Sequence, residues 1–317
     1  MNECITYSII NNNYKEKKTL LFRKRRIIMA DRFEIKEGHI YGPWRAVVNA
    51  AAAVTGSIHD DNVAAKMGIR GGAVTGTNHL DVFIPVLLEI FGQRWFEQGS
   101  MSIFYTYMTT DREEVRAVVG VPPEGAKDAQ VEARLEMRDG KIVGQGTVSV
   151  GKPIEASYIQ ALEMKTNGEE PRVMANIKAG HKMGPYDVKI TQEDVDKRLA
   201  VTTDPIDWYK GSSPWGKSVL PPQTMHNALQ LIYREGAIPP RSDKKAVGFY
   251  GATELRNING PIMVDVPYKV YGHVVFVGVT AKTEFYWYDS FLDDTEGRRI
   301  AEMRKMIRVM KSTSDLW

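Results

Sequence analysis

The alternation of apolar and charged residues is most regular over residues 129–150, where it predicts a β-hairpin. Every second residue from Val131 to Met137 is apolar, and the residues between them are charged, which is typical of a strand with one buried face. Asp139 and Gly140 then supply the two-residue turn that connects tightly paired strands. The sequence after the turn continues as the second strand.

Residues 77–95 are apolar nearly all round, which predicts a helix enclosed by the rest of the protein. Pro85 lies inside this stretch and predicts a kink. A second helix is predicted over residues 221–237. Strands are predicted after the helices, over residues 100–110, 113–121, 248–259, 263–276 and 279–291.

The last apolar stretch, residues 298–312, fits two patterns. Its composition and the spacing of its apolar residues favour a helix. Its position after the turn-forming segment "DDTEG" matches the returning hairpin strand of the first half. Because this position in the second half corresponds to a strand in the first half, we predict a strand.

The same order of elements occurs twice, so the chain is predicted to be an α+β protein with two similar domains. These are residues 29–165 and 186–317, joined by a connector at 166–185 that is rich in glycine, proline and charge. A long helix with a strongly curved antiparallel sheet, present twice, is the tandem or double hotdog arrangement. Two such sheets joined edge to edge would form one continuous sheet with both helices on its concave face.

Composition narrows the possible partners. Residues 1–28 hold seven basic residues against two glutamates, and the rest of the 317-residue chain is therefore slightly acidic despite a net charge of +3. This gives no electrostatic reason to expect nucleic-acid binding by the folded domains. The "RKRR" run at 23–26 is a targeting or nucleic-acid tail in one interpretation. In the other, residues 1–28 are a disordered extension that precedes a start at Met29.

The cysteine content and hydropathy point to a cytoplasmic protein. The single cysteine, Cys4, cannot form an internal disulfide, which fits a reducing compartment. No apolar run reaches the roughly 18 residues of a membrane-spanning helix. We therefore expect a cytoplasmic protein without a membrane span, and both a monomer and a homodimer stay open.

Candidate chemistry is concentrated in residues 55–76, "TGSIHDDNVAAKMGIRGGAVTG", which contain one histidine, two aspartates and five glycines. A phosphate-binding loop needs Lys-Ser or Lys-Thr after its last glycine, whereas Gly76 is followed by Thr77. No His or Cys pair has the spacing of a metal site, so no metal is predicted. A serine-hydrolase GxSxG motif is also absent from the sequence.

This stretch resembles the MaoC-like acyl dehydratases and the (R)-specific enoyl-CoA hydratases, in particular their double-hotdog members with segments that run "SIHDD…A…GIRGG…G…H". The matching residues are Ser57, Ile58, His59, Asp60, Asp61, Ala64, Gly68, Ile69, Arg70, Gly71, Gly72 and Gly76. The resemblance implies reversible hydration of a 2-enoyl thioester, with an acyl-CoA or similar acyl thioester as ligand. Coenzyme A is then part of the substrate, and no separate cofactor is expected.

The hydratase motif D-x-N-P-[LI]-H is only partly present. With His59 at the histidine position, Val54 replaces the aspartate, Gly56 the asparagine and Ser57 the proline. In the second half, Asp204 stands where the aspartate would be and Tyr209 where the histidine would be. One half keeps the histidine and the other half keeps the aspartate.

The resemblance implies four candidate catalytic residues. His59 acts as general base or acid, and the N–H of Gly76 at the start of the enclosed helix holds the thioester oxygen as negative charge develops. Asp60 and Asp204 are candidate carboxylate partners. Their alternative roles are capping a short helix for Asp60 and forming a turn with Pro205 for Asp204.

Five further residues are candidates for substrate binding. Arg70 contacts the coenzyme A phosphates or, alternatively, has a surface role. Gly71 and Gly72 allow a close backbone approach or a tight turn. Thr77 is a candidate N-cap of the first predicted helix. His79 and its counterpart in the second helix, His226, each either line a tunnel or are core histidines.

Two classes of function remain open. The first is a hydratase or dehydratase of acyl thioesters, with thioester hydrolysis in the same cleft as a variant. The second is a catalytically decayed protein that binds an acyl-CoA or lipid without converting it. The missing aspartate favours binding alone, whereas the retained histidine and glycine loop favour catalysis.

Overall fold

The computed structural model describes residues 33–317, and the predicted extension over residues 1–28 lies outside this range. This described part of the chain contains twelve strands: β1 Glu34–Lys36, β2 His39–Tyr41, β3 Arg45–Ala46, β4 Gly99–Tyr105, β5 Glu114–Gly120, β6 Ala129–Met137, β7 Ile142–Val150, β8 Lys182–Val188, β9 Gly248–Asn257, β10 Tyr268–Val279, β11 Thr283–Asp293 and β12 Arg299–Met310. The α-helices are α1 Asp61–Lys66, α2 Ile84–Phe91, α3 Arg94–Gln98, α4 Gln192–Leu199 and α5 Pro222–Leu229. 3-10 helices cover Gly76–Phe83, Asp207–Lys210 and Lys311–Thr313.

All the strands join one antiparallel sheet. Its order is β1-β2-β5-β6-β7-β4-β9-β12-β11-β10-β8, and β3 pairs with β5 beside this path. The two halves meet where β4 pairs with β9, from Ser100 opposite Arg256 to Phe104 opposite Ala252. The predicted edge-to-edge joining of two sheets is therefore observed. Strand β8 begins at Lys182, inside the predicted connector.

The repeat correctly predicted the last strand. Residues 299–310 form β12, which pairs with β11 on one side and β9 on the other. The hairpin of β6 and β7 also forms as predicted, around Asp139 and Gly140. Two predicted strands have different bounds in the structure. The strand predicted over 100–110 ends at Tyr105, and the strand predicted over 263–276 begins only at Tyr268.

The first enclosed helix is not the single kinked helix that was predicted over 77–95. It consists of the 3-10 helix Gly76–Phe83 and then α2, and α3 follows after a break at Gly92. Pro85 lies in the first turn of α2, where its missing N–H costs no hydrogen bond, so the proline begins the α-helix instead of kinking it. The second predicted helix is also shorter and ends at Leu229.

The two central helices, Gly76–Phe91 and α5, pack against each other in the core. Asp81, which is buried, accepts hydrogen bonds from Arg198 at 2.7 Å and from the backbone N–H of Gln223 in the first turn of α5 at 3.0 Å. One carboxylate therefore fixes the start of the second helix to the middle of the first. Among residues 33–317, no helix has the length and apolarity needed to cross a membrane.

Candidate functional site

A cavity of about 570 Å³ lies between the two halves of the molecule. The first half contributes the loop around His59, the start of the first central helix at Gly76, and the side chains of Tyr105 and Tyr107. The second half contributes most of residues 232–250, and also Tyr286 and Ile307. The candidate histidine and the candidate oxyanion donor thus line the same cavity.

His59 is partly buried, and its ring is held in one orientation by the backbone. Its Nδ1 lies 2.5 Å from the carbonyl oxygen of Ala73. Because a carbonyl only accepts, Nδ1 donates in this contact, and Nε2 is the nitrogen that carries the lone pair of the neutral ring. Nε2 lies 3.4 Å from the hydroxyl of Thr75, too far for a strong hydrogen bond. The imidazole is therefore available as a base on the cavity wall.

The loop that carries His59 is fastened to the glycine loop 71–76 through main-chain atoms. A Cβ at position 72 would lie 2.2 Å from the His59 carbonyl oxygen, so only glycine fits there. The side-chain amide of Asn49 donates to the carbonyls of both His59 and Gly72, at 3.0 and 3.3 Å. Asp61 accepts the N–H of Gly72 at 2.6 Å. These contacts set the position of His59 relative to Gly76.

Neither candidate carboxylate partner contacts the His59 ring. Asp60 accepts the N–H of Asn62 at 2.8 Å and caps α1, as its alternative interpretation expected. Asp204 forms an ion pair with Arg45, whose Nε lies 2.7 Å from the carboxylate. Asp60 and Asp204 are not among the residues that line the cavity. In residues 33–317, the Ala73 carbonyl fills the place beside His59 that a carboxylate was expected to take.

Gly76 begins the first central helix. Thr75 is the N-cap and Thr77 lies within the helix, so the prediction of Thr77 as N-cap is wrong. The first hydrogen bond of the turn joins the N–H of Asn78 to the carbonyl of Thr75 at 2.8 Å. The N–H groups of Gly76 and Thr77 precede it, where a helix offers no internal acceptor. A Cβ at position 76 would lie 3.0 Å from the Tyr105 ring, so a side chain here would crowd the cavity.

His79 lines the inner part of the cavity as a neutral core histidine. Its Nε2 accepts from the hydroxyl of Thr109 at 2.9 Å, and its Nδ1 lies 3.3 Å from the Gly76 carbonyl. Complete burial lowers the pKa of His79 to about 4. The ring therefore carries no charge near neutral pH.

Arg70 and Gly71 lie outside the cavity wall. Arg70 forms an ion pair with Glu113 and stacks over the ring of Tyr107, 5.3 Å from its centroid. Its guanidinium is thus near the cavity rim but already paired with a carboxylate. Gly71 approaches the Thr110 side chain, where a Cβ would lie 3.1 Å from its methyl group.

Sequence reasoning missed the basic and polar groups that the second half supplies. Arg241, Lys244 and Lys245 line the cavity, and so does Tyr250. The signal for the first three was present as the charged segment "PRSDKK" at 240–245. Within residues 33–317, no three side chains of metal-binding type come together.

Comparison with known proteins identifies the fold. No protein-family model matches the chain, and no curated protein does. A solved structure of a protein from Chloroflexus aurantiacus J-10-fl, described as a MaoC domain protein dehydratase, is 9% identical with a TM-score of 0.58, over 87% of this chain and 96% of its own. A conserved hypothetical protein from Mycobacterium tuberculosis with a double hotdog fold is 12% identical, with a TM-score of 0.56 over 84% and 94%.

A further structure, named a MaoC-like dehydratase, is 13% identical with a TM-score of 0.50, over 85% of this chain and 97% of its own. The molecule therefore has the fold of the MaoC-like double-hotdog proteins. The resemblance predicted from residues 55–76 is confirmed at the level of the fold.

Proposed function

We propose that the protein is a hydratase or dehydratase of acyl thioesters that adds water reversibly across a 2-enoyl thioester. The observation that carries the proposal is the presence of the His59 imidazole and the start of the first central helix at Gly76 in one cavity. Hydration needs a base for water and a donor for the thioester oxygen, and these two groups meet those needs.

In the proposed reaction, the lone pair of His59 Nε2 takes a proton from water as the water oxygen bonds to C3 of the enoyl group. The electrons of the double bond move toward the thioester, whose oxygen becomes negative and accepts the N–H of Gly76. The partial positive charge of the helix start also favours this oxygen. The proton on Nε2 then passes to C2, which restores the imidazole.

Coenzyme A is the proposed carrier of the acyl group. Arg241, Lys244 and Lys245 lie along the cavity wall in the second half, and cations in such a position attract the phosphates of the carrier. Aromatic and aliphatic side chains such as Tyr105 and Ile232 line the remainder and suit an acyl chain.

The test is hydration of crotonyl-CoA, followed by loss of the ultraviolet absorbance of the enoyl thioester. We expect turnover by the purified protein and a fall of at least about 100-fold in kcat for His59→Ala, because general base catalysis contributes that much. His39→Ala is the matched control, since His39 contacts Glu132 on β6 and does not line the cavity. Equal rates for wild type and His59→Ala would remove His59 from the mechanism.

The alternative is a protein that binds acyl-CoA without converting it. The contact of His59 with a backbone carbonyl, where the family motif has an aspartate, favours this alternative. Binding of butyryl-CoA without turnover of crotonyl-CoA would support it. Release of free thiol from acyl-CoA would instead identify a thioesterase.

A further inference from the structure

A largely buried polar cluster adjoins the cavity in the second half. It consists of Lys305 on β12, His226 on α5, Gln230 just after α5, and Tyr250 on β9. Lys305 is completely buried, and among residues 33–317 no carboxylate forms an ion pair with it. Its Nζ lies 2.8 Å from Gln230 Oε1, contacts His226 Nε2, and lies 3.2 Å from the centroid of the Tyr250 ring.

The directions of the hydrogen bonds in this cluster follow from Lys305. Lys305 Nζ donates to Oε1 of Gln230, so the Gln230 side chain turns its oxygen toward Lys305. The Gln230 amide nitrogen then faces Tyr250 and donates to its hydroxyl oxygen at 3.1 Å. The hydroxyl of Tyr250 therefore acts as an acceptor toward Gln230 and keeps its own hydrogen for another partner.

Among residues 33–317, that hydrogen has no strong acceptor. The other neighbour of the Tyr250 hydroxyl is the hydroxyl of Tyr233, at 3.4 Å on an exposed side chain. This distance is beyond the usual range for bonds between hydroxyl groups. Tyr250 itself lines the cavity that also contains His59.

We propose that Tyr250 is a specificity-determining residue that donates a hydrogen bond to an oxygen on the acyl chain of the ligand, and that Gln230 and Lys305 are the positioning residues that aim it. The favoured ligands are acyl thioesters whose chain carries an acceptor oxygen at C3, such as the 3-hydroxyacyl thioester that hydration forms, and a 3-oxoacyl thioester offers an acceptor oxygen at the same carbon for a binding test. This inference rests on the proposed function because it assumes an acyl thioester in the cavity.

The experiment compares binding of acetoacetyl-CoA, which has an acceptor oxygen at C3, with binding of butyryl-CoA, which has none. Isothermal titration calorimetry measures both dissociation constants. We expect the wild type to prefer acetoacetyl-CoA by about five- to tenfold, the usual value of one neutral hydrogen bond. Tyr250→Phe removes the donor and abolishes the preference, while the affinity for butyryl-CoA changes by less than about twofold.

Gln230→Glu tests the positioning role without changing the shape of the side chain. A carboxylate only accepts, so Glu at this position takes the hydrogen of Tyr250 and withdraws it from the cavity. The variant should therefore lose the preference for acetoacetyl-CoA even though Tyr250 is intact. General damage to the cavity would weaken binding of both ligands, whereas loss of the donor weakens binding of acetoacetyl-CoA alone.

Tyr233→Phe is the companion variant and should keep the preference. If Tyr233→Phe loses it while Tyr250→Phe retains it, the donor is Tyr233 and the inference is overturned. Equal binding of the two ligands by the wild type overturns this inference but not the proposed function. If neither thioester binds, the inference and the proposed function both fail.

Discussion

Replacement of Gly72 by alanine tests whether the glycine loop sets the position of His59. A Cβ at this position would lie 2.2 Å from the carbonyl oxygen of His59, which is a backbone atom and cannot rotate away. Carbon–oxygen contacts in proteins lie at about 3.3 Å or more, so the two loops must separate by about 1 Å. The hydrogen bond from Gly72 N–H to Asp61, 2.6 Å long, opposes that movement.

The displacement has two expected effects. Overpacking of this kind costs about 1–3 kcal/mol of folding free energy, which lowers the Tm by several degrees. A shift of about 1 Å in a positioned base costs about 100-fold in rate, because proton transfer needs hydrogen-bond contact with the reacting water. We therefore expect Gly72→Ala to remain folded and to lose about 100-fold in kcat for crotonyl-CoA.

Hydration kinetics and thermal unfolding measured on the same preparations separate these effects. Gly71→Ala is the matched control, because its Cβ would lie 3.1 Å from a methyl group of Thr110, which is a side chain that can adjust. It should lose less than about tenfold in rate. A wild-type rate in Gly72→Ala would refute the positioning of His59 by this loop, and equal losses in both variants would point to general damage.

Three further predictions concern stability and the carrier. Arg198→Met leaves the buried carboxylate of Asp81 without its cation and should cost about 3–5 kcal/mol in urea unfolding, and a loss below about 1 kcal/mol would contradict this role. Burial lowers the pKa of His79 to about 4, below the unfolded value of 6.5, so the unfolded chain takes up this proton first as the pH falls. Between pH 7 and pH 5 this difference in pKa lowers the free energy of unfolding by about 2 kcal/mol. The free energy of unfolding should therefore fall less over this pH range in His79→Gln than in the wild type. Lys244→Glu should weaken binding of butyryl-CoA several-fold at low salt but leave binding of butyryl-pantetheine, which lacks the coenzyme A nucleotide phosphates, unchanged.

Local patterns in the sequence were sufficient for most of the longer strands, but not for β12 or for the strands β1, β2, β3 and β8. The hairpin of β6 and β7 follows from strict alternation around Asp139 and Gly140, a signal that spans only neighbouring residues. Strand β12 has the composition of a helix, and only its place in the repeat indicated a strand. The pairing of β12 on both sides in the sheet outweighs the weak helical preference of its residues.

The division of the first central helix could not be predicted in the same way. Apolar residues all round indicate burial, but they do not distinguish one long helix from a 3-10 segment followed by two shorter helices. The position of Pro85 also has two meanings, a kink inside a helix or the first turn of one. Which of them applies depends on how the preceding residues pack.

In the candidate site, too, some features follow from the sequence and others only from the tertiary structure. The sequence indicated that His59 and the glycines of residues 71–76 belong to one candidate site, because their residue types and spacing are local properties. The partner of His59, the cavity formed with the second half, and the chain of hydrogen bonds from Lys305 to Tyr250 were decided by the tertiary structure alone. Their atoms are brought together by sheet pairing and helix packing between residues far apart in the chain, and no pattern in a short stretch of sequence records such contacts.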